Sequence, residues 1–382
     1  MGLSFMPCRS FKALAAVVGA MLLMVAPAWA QLFETKAAQA YMIDAETGTV
    51  LFSKDADVVI QPASLAKLMT LETTFNAIKS GRLTLEDTFV VSEHAWRTGG
   101  APSGTSTMFA KLKSEIRLED LIQGVAVQAA NDGCIVIAEG MAGSEQNFAR
   151  LMTERAREIG LKTSTFVNAT GLPADGQQTT VKELARLALH LWREYPDLYQ
   201  YLGQRDFTWN KIRQQNRNPL LAMDIGGDGL AVGASEQNGF GIVGSISQNG
   251  RRVIAAMSGL ANDRERAEEA RKLLEWGLRS FEKTQIFAED EVVGEAQVFG
   301  GEKSTVALRA KGAVQVFLPI TNRDRLTARI VYNGPVPAPV EQDQPVGALK
   351  VWIGDTLSQE TPLYAAESVG VGSLPRRAMD AV

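Results

Sequence analysis

Apolar and polar residues first alternate in AAQAYMIDAETGTVLFSKDAD, where Tyr41, Ile43, Val50 and Phe52 mark two strands around a turn at Glu46-Thr47-Gly48. A β-hairpin is predicted there. The period then lengthens: Leu65, Leu68, Met69 and Leu71 follow Pro62 at helical spacing, so a helix is expected to start with Ser64 in its first turn. Helical spacing continues through most of 71–150, including LEDLIQGVAVQAANDGCIVIAEG, which breaks at the Ala-Asn-Asp-Gly stretch 130–133. A Gly/Ser/Thr-rich loop, RTGGAPSGTSTMF, interrupts it at 97–109. Residues 179–192 are strongly amphipathic, with Thr179 or Thr180 placed to cap a helix. Alternation returns in DGLAVGA, FGIVGSI and RRVIAAMSGL, the last two joined by Asn249-Gly250, the dipeptide a two-residue hairpin turn favours. A charged amphipathic helix follows over 262–282, with Leu273, Leu274, Trp276 and Leu278 among its apolar positions.

Strands at both ends of a largely helical segment imply helices packed on one antiparallel sheet, an α+β domain over 31–283. Beyond it, EVVGEAQVFGG, STVALRAKGAVQVFLP, LTARIVYN and GALKVWIG are short alternating runs broken by Gly, Pro and Asn. They predict a smaller all-β domain over 284–366, with PVPAPVEQDQP as an exposed connection. In the tail 367–382 only seven residues, Arg376 to Val382, follow the last proline, too few for a stable amphipathic anchor, so membrane association is expected to be weak or absent.

The first thirty residues have a different character. Arg9 and Lys12 precede the apolar run ALAAVVGAMLLMV, and APAWA follows it, so a secretory signal cleaved after Ala30 is expected, leading to the periplasm. Its loss removes two bases and no acid, shifting the net charge from −4 to about −6. Such a chain has no electrostatic reason to bind nucleic acid. Cys134 is then the remaining cysteine, which excludes an intramolecular disulfide, and with His94 and His190 as the histidines no zinc pattern exists. No cofactor or metal is expected.

Candidate chemistry centres on Ser64 and Lys67. One helical turn would bring the hydroxyl and the amine together, and a lysine can take a serine proton once apolar surroundings and a nearby positive charge depress its pKa. The spacing alone is common, since Ser280 and Lys283 share it. Its setting adds information: a signal segment ahead of it, an Asn-Asp element 67 residues after Ser64, a glycine-flanked strand near 231 and an all-β tail.

Together with AYMIDAETGTVLFSKDAD, SEHAWRTGG, FVNATGLP and ERAEEARKLLEWG, these features resemble the low-molecular-mass penicillin-binding D-alanyl-D-alanine carboxypeptidases, serine peptidases of β-lactamase/transpeptidase-like fold. The resemblance implies Ser64 as the acylated nucleophile, Lys67 as its base and Asn131 as the holder of the substrate amide. It implies Gly229, Ala231, Val232 and Gly233 as the substrate-binding strand, with peptidoglycan stem peptides as substrate and β-lactams as covalent ligands of Ser64. Two of the family's three motifs are altered. Ala129 stands where the second motif has serine, and Ala231 and Val232 stand where the third has lysine and threonine. A charge-assisted hydrogen bond contributes roughly 1.5–3 kcal/mol, so the losses would cost about two to four decades in rate. Glycines at 229 and 233 still permit an extended peptide to approach the strand. Arg251 and Arg252 are either solvated hairpin residues or replacements for the missing charge. Two readings follow: a carboxypeptidase with impaired activity, or a homologue that binds peptidoglycan peptides or a wall-synthesis partner without useful turnover. A serine β-lactamase is disfavoured by the all-β tail.

Overall fold

The computed structural model describes residues 33–321 and 326–380. The expected signal segment lies outside the described residues, apart from which Thr35 onward packs as one compact unit. Gln39–Asp44 (β1) and Val50–Lys54 (β2) form the predicted hairpin. Tyr41 and Ile43 enter the main core, while Met42 points the other way against Gly277, so both faces of β1 are covered. After it a single 3-10 turn, Ala63–Ala66, leads into the helix α1, Lys67–Lys79. The expected start is thus split in two, with Ala63 at φ 46° making the bend. α1 is buried on nearly every side, and its threonines satisfy themselves locally: Thr73 and Thr74 donate to the carbonyls of Met69 and Thr70.

The stretch read as mostly helical also contains a small strand pair, Thr88–Val90 (β3) and Glu115–Arg117 (β4). Three residues a strand is too short for alternation to register. Leu118–Gln128 (α2), Asn131–Ala142 (α3) and Glu145–Glu158 (α4) follow. Val181–Glu194 (α5) is capped by Thr180, whose hydroxyl accepts from the Glu183 N–H at 3.1 Å. Pro196–Tyr199 (α6) leads to a second small hairpin, Asp206–Trp209 (β5) with Ile212–Gln215 (β6), which the sequence pattern does not announce.

Gly227–Ser235 (β7), Gly239–Gln248 (β8) and Arg251–Leu260 (β9) complete an antiparallel sheet in the order β2-β1-β9-β8-β7. Asp263–Arg279 (α7), capped by Asn262, packs on it. Of these strands β7 matters most: among the described residues it pairs with β8 alone, and its other edge faces the turn Ala63–Ala66.

Phe281–Phe287 (β10), Val292–Phe299 (β11), Thr305–Arg309 (β12), Val314–Pro319 (β13), Leu326–Tyr332 (β14), Val336–Pro337 (β15), Pro345–Ile353 (β16) and Thr356–Ala365 (β17) build the C-terminal part. β10 pairs with β13, and the others form a sheet ordered β14-β16-β17-β12-β11-β15 around Val306, Leu308, Val351 and Leu363. The proline-rich stretch 335–345 is not simply an exposed connection. Val336 and Val340 are buried, and β15 pairs with β11, because prolines tolerate such edge positions. The last described element is Leu374–Asp380 (α8). Among the described residues no helix is long and apolar enough to cross a membrane.

Candidate active site

The turn between β2 and α1 presents Ser64, half-buried, above Lys67, which is only 3% exposed. Lys67 Nζ donates to Ser64 Oγ at 3.2 Å and to the Thr170 carbonyl. Burial moves the Lys67 pKa down to about 8; the neighbouring Cys134 opposes this and the charge of Arg217 adds to it. Desolvation penalises the ammonium more than the neutral amine, so about a tenth of the amine is unprotonated at pH 7, far more than for an ordinary lysine. The alternative Ser-x-x-Lys pair is not assembled: Ser280 ends α7 and Lys283 pairs with Glu46 from β10.

The phrase FVNATGLP is what orients the amine. Asn168 Oδ1 accepts from the N–H groups of Thr170 (3.2 Å) and Gly171 (2.8 Å), fixing the turn whose Thr170 carbonyl holds Lys67. Gly171, at φ 78°, lies so close that a Cβ would stand 1.8 Å from the Ala63 carbonyl oxygen. From the opposite side Gly233 of β7 approaches less closely, a Cβ there falling 3.2 Å from the Ser64 nitrogen. No hydrogen bond from the Ser64 N–H forms among the described residues, which leaves it able to donate to a developing oxyanion.

Ala129 ends α2 in the left-handed region, at φ 55°, and lines the same cavity as Ser64 and Lys67. No hydroxyl stands there. Asn131 opens α3, 3% exposed; its Nδ2 donates to Thr105 Oγ1 at 2.9 Å, while its Oδ1 has no partner among the described residues. It is not joined to Lys67 by a hydrogen bond. Asp132 binds the loop 97–109 to this helix, accepting from Thr107 Oγ1 (2.5 Å) and the N–H groups of Met108 (3.0 Å) and Ala110 (2.9 Å). That anchoring role was not visible in the sequence, where the Ala-Asn-Asp-Gly stretch draws attention to Asn131.

Ala231 and Val232 line the cavity with the apolar Leu68, Val125, Leu202 and Leu230 and with Asn216 and Asn218. Gly229 lies apart, against Tyr199 and Leu202, where a Cβ would make only ordinary contacts of 3.4–3.6 Å. Neither hairpin arginine supplies the missing charge. Arg251 is held by Asp44 and by the carbonyls of Leu278 and Phe281, stacked 3.9 Å from the Phe317 ring; Arg252 binds Asp228 and Ser245 over Trp192 and Tyr199. Besides Lys67, the basic residue that lines the cavity is Arg217, which carries none of the family motifs. Its one sequence signal is a basic residue between two turn-forming asparagines, Asn216 and Asn218. No group of acidic, histidine or cysteine side chains that could hold a metal occurs among the described residues.

Residues 25–261 match the family of D-alanyl-D-alanine carboxypeptidases, and residues 281–371 match the C-terminal domain of penicillin-binding protein 5. The D-alanyl-D-alanine carboxypeptidase DacC of Escherichia coli (strain K12) is 35% identical over 344 residues, 89% of this chain and 86% of its own. Penicillin binding protein 5 from Haemophilus influenzae superposes with a TM-score of 0.75 at 28% identity, covering 89% of this chain and 99% of that one. Penicillin-binding protein D2 from Listeria monocytogenes, solved with ampicillin bound, aligns with a TM-score of 0.56 at 25% identity over 65% of this chain and all of that one. The chain therefore belongs to the D-alanyl-D-alanine carboxypeptidase family, as a low-molecular-mass penicillin-binding protein with a C-terminal β domain.

Proposed function

We propose that the protein removes the terminal D-alanine of peptidoglycan stem peptides through an acyl-Ser64 intermediate, at a rate lowered by its altered motifs. Ser64 Oγ attacks the carbonyl carbon of the penultimate D-alanine while its proton passes to Lys67 Nζ. The C–N bond breaks, the departing D-alanine amine takes up a proton, and water then hydrolyses the ester. Asn131 accepts from a substrate amide through its unpartnered Oδ1, and the free edge of β7, from Gly229 through Ala231 and Val232 to Gly233, binds the peptide as an added strand. The observation that carries the reading is the buried Lys67 amine 3.2 Å from Ser64 Oγ. With Ala129 in place of serine, the proton reaches the leaving amine from Lys67 itself or through water. β-Lactams acylate the same oxygen. The segment 1–30 directs the chain to the periplasm, where 31–283 act as peptidase and 284–366 as the β domain.

A second reading has specific support: the alanines at 129 and 231 and the valine at 232 remove three polar contacts at once, as expected of a homologue that binds wall peptides without turnover. Release of D-alanine from a D-Ala-D-Ala-ended pentapeptide separates the two. The peptidase reading expects several turnovers per molecule over hours and none in Ser64→Ala. Equal release by both proteins contradicts it, and tight peptide binding without release favours the second reading.

A further inference from the structure

The stretch SEHAWRTGG is tied to the turn that orients Lys67 by a carboxylate that none of the three motifs contains. Glu145 is the first residue of α4, its side chain is 11% exposed, and its two oxygens serve different segments. Oε1 accepts from the Ala169 N–H at 3.1 Å, and Oε2 lies 3.2 Å from His94 Nε2. His94 Nδ1 lies in turn 3.2 Å from Thr98 Oγ1. The tautomer protonated on Nε2 satisfies both ring nitrogens, since Nε2–H donates to the carboxylate and Nδ1 accepts from the hydroxyl.

Each end of this brace is attached to something rigid. Ala169 is fully buried, and its carbonyl accepts from Thr70 Oγ1 at 2.7 Å, so Thr70 and Lys67, one turn apart on α1, bind the successive carbonyls of Ala169 and Thr170. The Ala169 N–H ties the same stretch to α4 instead. At the far end, His94 precedes the π-helical turn Ala95–Gly99, which packs on the start of α3 so tightly that a Cβ on Gly99 would stand 2.4 Å from the Asp132 nitrogen. Other buried carboxylates on α1 and α5 are engaged elsewhere: Glu183 holds the N–H groups of Thr163 and Ser164, and Glu72 takes Arg155, His190 and Tyr195. The charge of Glu145 also reaches the Cys134 thiol beside Lys67.

We propose that Glu145 is a positioning residue: by accepting from the Ala169 N–H it keeps the Thr170 carbonyl on the Lys67 amine, and His94 fixes the carboxylate for that task. The inference deepens the proposed function and rests on Lys67 serving as base to Ser64. Without the carboxylate a buried N–H loses its acceptor, which is costlier than shifting the turn. The turn 168–171 then moves, and the amine leaves its 3.2 Å approach to Ser64 Oγ. A glutamine at the same place still offers an oxygen to the N–H.

The test is acylation of the signal-free chain by a fluorescent penicillin at about pH 9, where the Lys67 amine is largely neutral, with the limiting rate separated from the penicillin concentration that gives half of it. Glu145→Ala should lower the limiting rate at least about tenfold and move the half-saturating concentration by less than about threefold. Glu145→Gln should recover most of the rate. A second readout needs no acylation: in protein with 13C-labelled lysine, the Lys67 amine should titrate at least about half a unit lower in Glu145→Ala, because the carbonyl that favours the ammonium has withdrawn, and should stay near its original position in Glu145→Gln. Cys134 and Arg217, the other groups whose charges act on Lys67, are the same in all three proteins. An unchanged limiting rate with an unchanged titration, or Glu145→Gln as slow as Glu145→Ala, overturns the proposal. Where Glu145→Ala does not fold, the exposed His94→Ala decides: a limiting rate lowered about threefold supports the brace and an unchanged one overturns it. A chain that penicillin never acylates loses the acyl-serine reading, while the Lys67 titration still decides this one.

Discussion

Burying a lysine amine costs free energy because the ammonium loses its hydration, and at Lys67 that cost is turned to use. The amine titrates at about 8, below the usual 10.5, chiefly through burial, with the Arg217 charge adding to the depression. Cys134 is itself pushed up to about 12 by burial and stays a thiol through the physiological range. Because the neutral amine is the base, acylation of Ser64 by a penicillin should rise nearly tenfold per pH unit below about 8 and level off above it. A rate independent of pH between 6 and 9 would contradict Lys67 as base. The sign for stability is the same: between about 8 and 10.5 the unfolded chain holds a proton the folded one has released, so stability rises with pH across that window. Ser64 and Lys67 were legible in the sequence because one helical turn relates them. Arg217 was not, since it meets them only through folding, 150 residues further along the chain.

At the scale of elements, the site depends on two segments closing on one turn. Gly171 fits against Ala63 only because it has no side chain, and its φ of 78° suits glycine. Gly171→Ala should therefore shift the nucleophile turn and lower the acylation rate by at least about tenfold, since small misplacements of reacting groups are costly. The circular dichroism spectrum should remain that of a folded protein. An unchanged rate would mean the contact does not position Ser64. The hairpins β1–β2 and β8–β9 and the helices capped by Thr180 and Asn262 were legible because period, turn chemistry and caps agree there. The pairs β3–β4 and β5–β6 were not, because three or four residues cannot establish a period. Asp132 escaped notice for another reason: nothing in sequence marks a carboxylate that collects loop N–H groups only once the loop folds over it.

Across the whole molecule, the switch from helical to alternating spacing after α7 made the C-terminal β part readable. How it docks was not readable, because many of the contacts are single polar side chains with no periodic pattern. Thr49 of the first hairpin donates to Gln359 Oε1 at 2.9 Å and accepts from the Phe317 N–H, and Ser358 donates to the Val50 carbonyl at 2.9 Å. The catalytic cavity is assembled over similar distances, with Ala129 from the end of α2 and Ala231 and Val232 from β7 meeting beside Lys67. Changes at these positions should couple rather than add. Ala129→Ser, Ala231→Lys and Val232→Thr together are expected to raise D-alanine release at least about tenfold, corresponding to ~1.4 kcal/mol or more of transition-state stabilisation. An unchanged rate would show that these positions do not limit the reaction.

All of these expectations depend on Ser64 being a working nucleophile with Lys67 as its base. The most direct measurement is the intact mass of the protein after exposure to excess penicillin, with the modified peptide located by fragmentation. The predicted result is a gain of one penicillin mass on the peptide containing Ser64, absent in Ser64→Ala and strongly slowed in Lys67→Met. No adduct under excess penicillin, or an adduct on any other residue, would contradict the account.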